Sequence, residues 1–486
     1  MPIVWTPLVS IEVLGFLIAS IALYRLWFAP LARLPGPPIC AITRLTLMYH
    51  EFSGSRRLFI HGLHMKYGPV VRIAPNEVSF ATRQAMKEIY TSGGSGYDKT
   101  SFYSLFQHFG TKNMFSTLEK DEHAAVKKQF AERYSKLHVM KPDVSSVIQQ
   151  TVDAFVTRAT EHVGASVDIY DLLHCFGLDG VTGHLFSPSG LHSQTNDDDH
   201  ELMKQLAYPS DLKRAYFRYY FPTLWWVYER LTGINKLRGD TNLIDAYVLE
   251  MFHSGSVDPQ TVLHKLRIVD ARDPGRPMLL SVSECMDHII AGIDTTSDAL
   301  CFLMHHLSLP IPASRRVQEK LHEELVRNPG NSVDDLPYLD AVIKEGLRLL
   351  SPVTMSFPRV VPDGGRAVDN VQLPGGTIVS CQPYTLHRFD TEVFPDPDEF
   401  LPERWLAANG AVERNQLFFT FGAGGRGCIG RHLALLEMKL LVRDVYSTYR
   451  TRVAPDMTAS MEPDDQVIST RPKDQKCLIL FERLDV

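Results

Sequence analysis

The sequence has no CxxC pair, no internal repeat, no low-complexity tract and no strongly basic region. Its seven cysteines, Cys40, Cys175, Cys285, Cys301, Cys381, Cys428 and Cys477, are scattered. That spacing argues against a disulfide framework and against a structural zinc site, and it suits a reducing compartment. A net charge of -6 and a pI near 6.3 leave no electrostatic footprint for nucleic acid. What remains is a long chain of 486 residues, 44% hydrophobic and 22% charged, able to bury a large core.

After Pro38 helical periodicity dominates, most clearly over residues 122–134, 283–307, 314–327, 339–350 and 429–449. Strand-like pieces are short, at 70–73, 77–80 and 377–381. They cluster near the start and after Leu350 and do not alternate with helices, so a doubly wound sheet is not expected. The expected class is mainly α with a small β region.

From Ile3 to Tyr24 the chain is mostly apolar, with Glu12 as its charge, and Trp5 and Trp27 bracket the run. This is about the length of a membrane-crossing helix. Arg25, Arg33 and Arg44 follow and no basic residue precedes, which orients the N-terminus to the lumen and the body to the cytosol. A cleaved signal peptide would carry a basic start and a small-residue cleavage site. The expected organisation is therefore a transmembrane anchor over 1–28, a stiff Pro-rich hinge over 29–40 around Leu34-Pro35-Gly36-Pro37-Pro38, and a catalytic body over 41–486. The aromatic-rich stretch from Ala215 to Tyr228 reads either as a buried helix face or as a lid that dips into lipid over an apolar pocket.

The stretch Phe421-Gly422-Ala423-Gly424-Gly425-Arg426-Gly427-Cys428-Ile429-Gly430 precedes a helical pattern with Leu433, Leu436 and Leu440 on one face. A cysteine at a helix N-terminus, among glycines that let amides approach its sulfur, is placed to be a thiolate. Arg426 adds a positive charge suited to a carboxylate. The glycines also fit a dinucleotide-binding GxGxxG, but too few residues follow to build the required sheet, and no acidic residue ends a next strand.

This stretch resembles the FxxGxRxCxG haem-binding signature of the cytochrome P450 family at every position, through Phe421, Gly424, Arg426, Cys428 and Gly430. The resemblance implies a single, mainly α domain holding haem b, with Cys428 as the iron's thiolate ligand. Ala291-Gly292-Ile293-Asp294-Thr295-Thr296 resembles the family's oxygen-activation motif, which implies a gap in a long helix and a proton relay through Asp294 and Thr295. Glu345 and Arg348, with Arg404 of Pro402-Glu403-Arg404-Trp405, resemble the family's buried Glu-Arg-Arg brace. Arg359 falls where the family places a propionate-binding arginine. His123 and Lys127 stand where members more often carry Trp or His followed by Arg, and a lysine meets a propionate as a point charge.

The resemblance implies a monooxygenase of microsomal type, inserting oxygen from O2 into a lipophilic small molecule at the endoplasmic reticulum membrane. Its electrons come from NADPH-cytochrome P450 reductase, steered by Lys128, Arg414, Arg431 and Lys439. Membrane lipid is a further partner, and nucleic acid is not. The character of the sequence resembles filamentous-fungal members, hence secondary metabolism of terpenoids, polyketides or alkaloids. Pocket positions by the same analogy are Tyr103, Phe106, His288, Ala291, Val353, Thr354, Val467 and Ile468. Two other readings stay open, a haem-thiolate isomerase or dehydratase that needs no reductase and a non-enzymatic haem or gas binder. Neither needs Asp294 and Thr295.

Overall fold

The protein is described as a computed structural model covering residues 7–208, 213–232, 242–253 and 257–484. The elements that position the site are α1 (Pro7–Leu23), α2 (Lys120–Lys128), α3 (Ile169–Phe186), α4 (Arg214–Tyr220), α5 (Pro222–Thr232), α6 (Met278–Ser308), α7 (Pro312–Arg327), α8 (Pro337–Leu349) and α9 (Arg431–Thr448). The strands are β1 (Val70–Ala74), β2 (Glu77–Phe80), β3 (Asp98–Lys99), β4 (Val167–Asp168), β5 (Arg359–Val360), β6 (Ile378–Cys381), β7 (Tyr449–Val453), β8 (Thr470–Pro472) and β9 (Leu478–Arg483). The architecture is mainly α with small sheets, as expected from the sequence.

The largest sheet runs β1-β2-β6-β5-β3. Its β2 and β6 are parallel, with Glu77 opposite Ile378, although about three hundred residues separate them. A second sheet, β4-β9-β7, closes the chain end against the helical core.

At the centre lies α6, 31 residues and roughly 46 Å long at 1.5 Å per residue. It packs most extensively on α3, and small residues bring the two together. A Cβ on Gly292 would lie 2.7 Å from the Val181 side chain, and one on Gly177 would lie 2.5 Å from Ser297 Oγ. Ser297 Oγ also donates to Leu173 O at 2.7 Å, tying the two helices. The expected gap in the helix is not there. The helix continues unbroken through Gly292, whose missing side chain serves the packing of α3.

The transmembrane helix expected over Ile3–Tyr24 is not supported. No helix among the described residues is long and apolar enough to cross a membrane. Helix α1 is described over 17 residues, Pro7–Leu23. The chain then passes into a π-helical turn at Tyr24–Phe28 and is tied to the body. Arg25 Nη1 donates to Ile42 O, and Arg25 O accepts from Arg72 Nη1. Residues 3–6, including Trp5, lie outside the described residues. The Pro-rich stretch also lies on the body. Arg72 N donates to Pro35 O, and a Cβ on Gly36 would lie 2.5 Å from Arg72 O.

The aromatic stretch divides between its two readings. In α4, Tyr216 is buried against Phe102 and donates from its hydroxyl to Val467 O at 3.0 Å. In α5, Leu224, Trp226, Tyr228 and Leu231 are exposed.

Candidate active site

The loop before α9 is shaped by glycines at positions other residues could not take. Gly422 and Gly424 have φ of 66° and 67°. A Cβ on Gly424 would lie 2.2 Å from Tyr90 O, and one on Gly425 would lie 2.5 Å from Ser95 Oγ. The loop therefore sits directly on the segment that follows Ile89 and Tyr90. Gly424→Ala is expected to lower the melting temperature by several degrees and reduce haem content, because both backbone conformation and contact oppose it. A variant that melts with the wild type would show that the loop has room to move.

Cys428 N donates to Phe421 O at 2.8 Å, which closes the loop on itself. Cys428 lies just ahead of α9, whose N-cap is Gly430. It is the exposed cysteine, whereas the other six are buried. Its sulfur is open to solvent-sized space yet surrounded by protein, the position of a group lining an interior space. Burial pushes the thiol up. The amides of Gly430 and Arg431 and the charges of Lys127 and Arg431 act against it and favour thiolate.

Lys127 does not stand free. Its Nζ donates to Gly425 O at 2.9 Å and Gly427 O at 3.1 Å, so it clamps the cysteine loop from α2. His123 is buried on the same helix. Its imidazole is pushed down to about 3 by burial and then by the charges of Lys99, Arg426, Lys127 and Arg359. Arg359, buried on β5, donates from Nη1 to the Tyr103 hydroxyl at 2.7 Å, while its Nε has no hydrogen-bond partner. Arg426 donates from Nη1 to Leu118 O and from Nη2 to Asp98 Oδ1 at 3.0 Å, and its Nε too has no hydrogen-bond partner.

Lys99, which the sequence reading did not single out, joins this cluster. It is buried, donates to Phe115 O at 2.6 Å and lies over the Tyr103 and Phe115 rings. Burial and then the neighbouring Arg359 and Arg426 push its ammonium well down, with Asp287 and Glu284 acting the other way.

Opposite chemistry sits on α6. Ala291 is exposed in the middle of an otherwise buried helix, and Asp294 and Thr295 beside it are half-buried, so this stripe faces an open interior space. Thr295 Oγ1 donates to Ala291 O at 2.7 Å. Burial pushes the Asp294 carboxyl up to about 7, with Arg471 pulling it down. It is a carboxyl that exchanges protons near neutral pH. Glu437 of α9 is another residue missed in the sequence. It is buried, its Oε1 has no hydrogen-bond partner, and burial raises it to about 8 against a hydrogen bond with Thr296.

The brace is built as expected. Glu345 Oε2 and Oε1 accept from Arg348 Nε and Nη2, both at 2.9 Å, and Oε1 also accepts from Arg404 Nε at 3.0 Å. Leu401 N and Trp405 Nε1 complete the shell at 2.9 Å each. Burial alone would raise this carboxyl, but the Arg348 and Arg404 partners hold it below the usual range. His387 links the brace to the cysteine loop, with Nδ1 donating to Arg348 O and Nε2 accepting from Phe419 N.

The comparisons with known proteins decide the family. The family model described as Cytochrome P450 matches residues 34–479. The chain belongs to the cytochrome P450 family. It is 28% identical over 483 residues to the cytochrome P450 monooxygenase hkm5 of Aspergillus hancockii, covering 94% of this chain and 92% of that protein. To tazI of Aspergillus terreus it is 28% identical, covering 97% and 98%. To BipB of Cochliobolus sativus it is 27% identical, covering 89% and 88%.

The protein is thus an oxidoreductase of a family that binds haem through a cysteine thiolate. The residues present fit that group. Lys99, His123, Arg359 and Arg426 gather cationic and proton-accepting side chains in a buried place, with two guanidinium Nε atoms lacking a hydrogen-bond partner. These groups would suit the two propionates of a P450 haem, and Cys428 would offer the sulfur.

Two of the expected docking cations are corrected. Arg414 is buried and donates from Nη2 to Ala407 O. Lys439 is buried between Asp334 and Asp340 at 3.0 Å and 2.8 Å. Neither can steer a partner, because each is spent inside the fold. Lys128 and Arg431 are exposed. Among pocket positions, Tyr103, Phe106, Val467 and Ile468 meet in one aromatic cluster with Phe102 and Tyr216. His288 does not join them. It is buried beside Tyr134, whose hydroxyl pairs with Nδ1 at 2.9 Å, and beside Glu284.

Proposed function

We propose that this P450 inserts one oxygen atom from O2 into a lipophilic small molecule, with two electrons from NADPH-cytochrome P450 reductase, in fungal secondary metabolism. A terpenoid, polyketide or alkaloid skeleton is the substrate class. The similarity to fungal P450 monooxygenases supports the reaction and the setting. The apolar and aromatic cluster around Tyr103 and Val467 supports a lipophilic substrate.

The observation that carries the reaction type is the pair Asp294 and Thr295 on the open stripe of α6. The balanced reaction is RH + O2 + two electrons + two protons → ROH + H2O, so protons must reach a site walled by apolar groups. When bound, the haem supplies the iron that activates O2, and its thiolate ligand favours cleavage of the O–O bond. Lys127 holds the loop that carries Cys428, and its charge, with the amides of Gly430 and Arg431, acts against burial to favour the thiolate that the haem iron would take. Asp294, protonated near neutrality, carries a proton to the reacting oxygen's side of the pocket, and Thr295, fixed by Ala291 O, presents its hydroxyl beside it. An isomerase or a gas carrier consumes no protons and has no use for this pair.

In this proposal the body sits on the cytosolic face of the endoplasmic reticulum membrane. The exposed apolar residues of α1, of the turn after it and of α5, among them Phe16, Phe28, Trp226 and Leu231, support contact with lipid. Lys128 and Arg431 support docking of an acidic reductase surface.

Asp294→Asn tests the reading. Coupled product formation is expected to fall by about 10²-fold, with substrate affinity retained. The wild type should lose coupled turnover as pH rises through about 7, where the donor loses its proton, and the variant should lack that limb. Full coupled oxygenation by Asp294→Asn would end the proton-relay assignment.

A further inference from the structure

One helical turn behind Asp294, on the same stripe of α6, lies Asp298. The stripe closes as it runs: Ala291 is exposed, Asp294 half-buried and Asp298 buried, with 3% of its surface accessible. Asp298 Oδ1 has no hydrogen-bond partner and stands 3.8 Å from His174 Nε2 of α3, which also has none. His174 is fully buried, and its Nδ1 lies 2.7 Å from Tyr170 O. A carbonyl can only accept, so Nδ1 carries the ring's hydrogen. In the neutral imidazole Nε2 is then a bare acceptor, and it faces another acceptor.

At 3.8 Å the two are not hydrogen-bonded, but two bare acceptors facing each other in a buried place favour a protonated partner, which a small shift brings within hydrogen-bond reach. Burial pushes His174 down to about 4, so the proton does not belong to the ring. It belongs to Asp298, whose carboxyl is pushed well up by burial and by Asp294. The other groups facing this site are Tyr170 of α3, Arg471 of β8, Cys301 on α6 itself and Cys477 just ahead of β9. Arg471 is the group that favours ionisation, and it does not outweigh burial.

We propose that Asp298, backed by His174, is a proton reservoir that reloads Asp294 during turnover. This rests on the relay role of Asp294 given above. In the step, the O–H bond of the Asp298 carboxyl breaks, and the proton forms an O–H bond on the Asp294 carboxylate just emptied. The Asp298 carboxylate left behind, closed off from solvent, recovers its proton by way of Asp294 and the open end of the stripe before the next cycle. Two protons are needed for each oxygen atom inserted, and a second loaded carboxyl behind Asp294 supplies the second without waiting for exchange with solvent.

The test uses the holoenzyme and Asp298→Asn, an uncharged substitute whose amide N–H donates to His174 Nε2 but cannot release a proton. Infrared spectra of the resting enzyme at pH 7 should show, beside the stretches of Asp294 and Glu437, a protonated-carboxyl band, shifted in D2O, that Asp298→Asn removes and that Asp294→Asn and Glu437→Gln leave in place. Coupled turnover should fall about tenfold, less than for Asp294→Asn, with a larger solvent isotope effect. If the band survives in Asp298→Asn, Asp298 is not the protonated group and the proposal fails. If the band vanishes but rate and isotope effect match the wild type while Asp294→Asn is impaired, the reservoir fails and the Asp294 relay stands. If Asp294→Asn is unimpaired as well, the relay itself is wrong. Should Asp298→Asn not accumulate, His174→Gln reads the same band, which should shift in frequency with the changed partner. An unshifted band overturns the pairing.

Discussion

Glu345→Gln is expected to cost about 3–5 kcal/mol of stability, because it leaves two buried guanidinium groups without a counter-charge. Arg348 is fully buried and Arg404 nearly so, and water cannot replace the lost charge. The damage should spread to the cysteine loop through His387, which bonds both Arg348 O and Phe419 N. Haem content should fall together with the melting temperature. The sign of the pH dependence follows from the same contacts. Glu345 is held below the ordinary carboxylate value, so its contribution is fully present above the unfolded pKa of about 4.3 and is lost as pH falls through the lower folded value. The variant should therefore approach the wild type in acid and differ most at neutral pH. Equal melting at pH 7 would mean that the brace does not hold the loop.

Cys428→Ser is expected to have the largest effect on function and little effect on the fold. The sulfur is exposed and fills no core position, unlike the six buried cysteines, so its loss leaves no cavity. A serine hydroxyl does not supply thiolate. The ferrous–carbon monoxide spectrum should lose its thiolate-ligated band, and product formation should fall below roughly a hundredth of wild type. Retention of that band in a folded Cys428→Ser protein would assign the ligand elsewhere.

The cysteine loop and the Glu345–Arg348 pair were legible because each is a local pattern with fixed spacing, and Arg404 because it stands in the short segment Pro402-Glu403-Arg404-Trp405. Helix α6 was legible because an apolar face repeats over its length. Its Gly292 was misread, because a glycine in a helix looks like a break until the neighbouring Val181 is known. The burial of Lys439 depends on contacts made far along the chain, to Asp334 and Asp340, so its cation looked available. Lys99 was missed for the same reason. Its lysine carries no local signal, and its role appears only where β3 meets β5 beside Arg359. Glu437 lies on the inner face of α9, nine residues after Cys428, and only its burial against Thr296 and Gly180 separates it from a surface glutamate. The contacts from the turn at Tyr24–Phe28 to Ile42 and Arg72 join parts of the chain that share no local pattern, so the hydropathy of the N-terminal run did not show them.

The central claim is best tested by growing the source organism under ¹⁸O2 with either the wild-type chain or Cys428→Ala, and comparing the extracts by mass spectrometry. The account predicts a lipophilic compound carrying one ¹⁸O in the wild type, replaced in the variant by a precursor lacking that oxygen. A compound that depends on Cys428 but carries no ¹⁸O, differing from its precursor by rearrangement or loss of water, would contradict oxygen insertion.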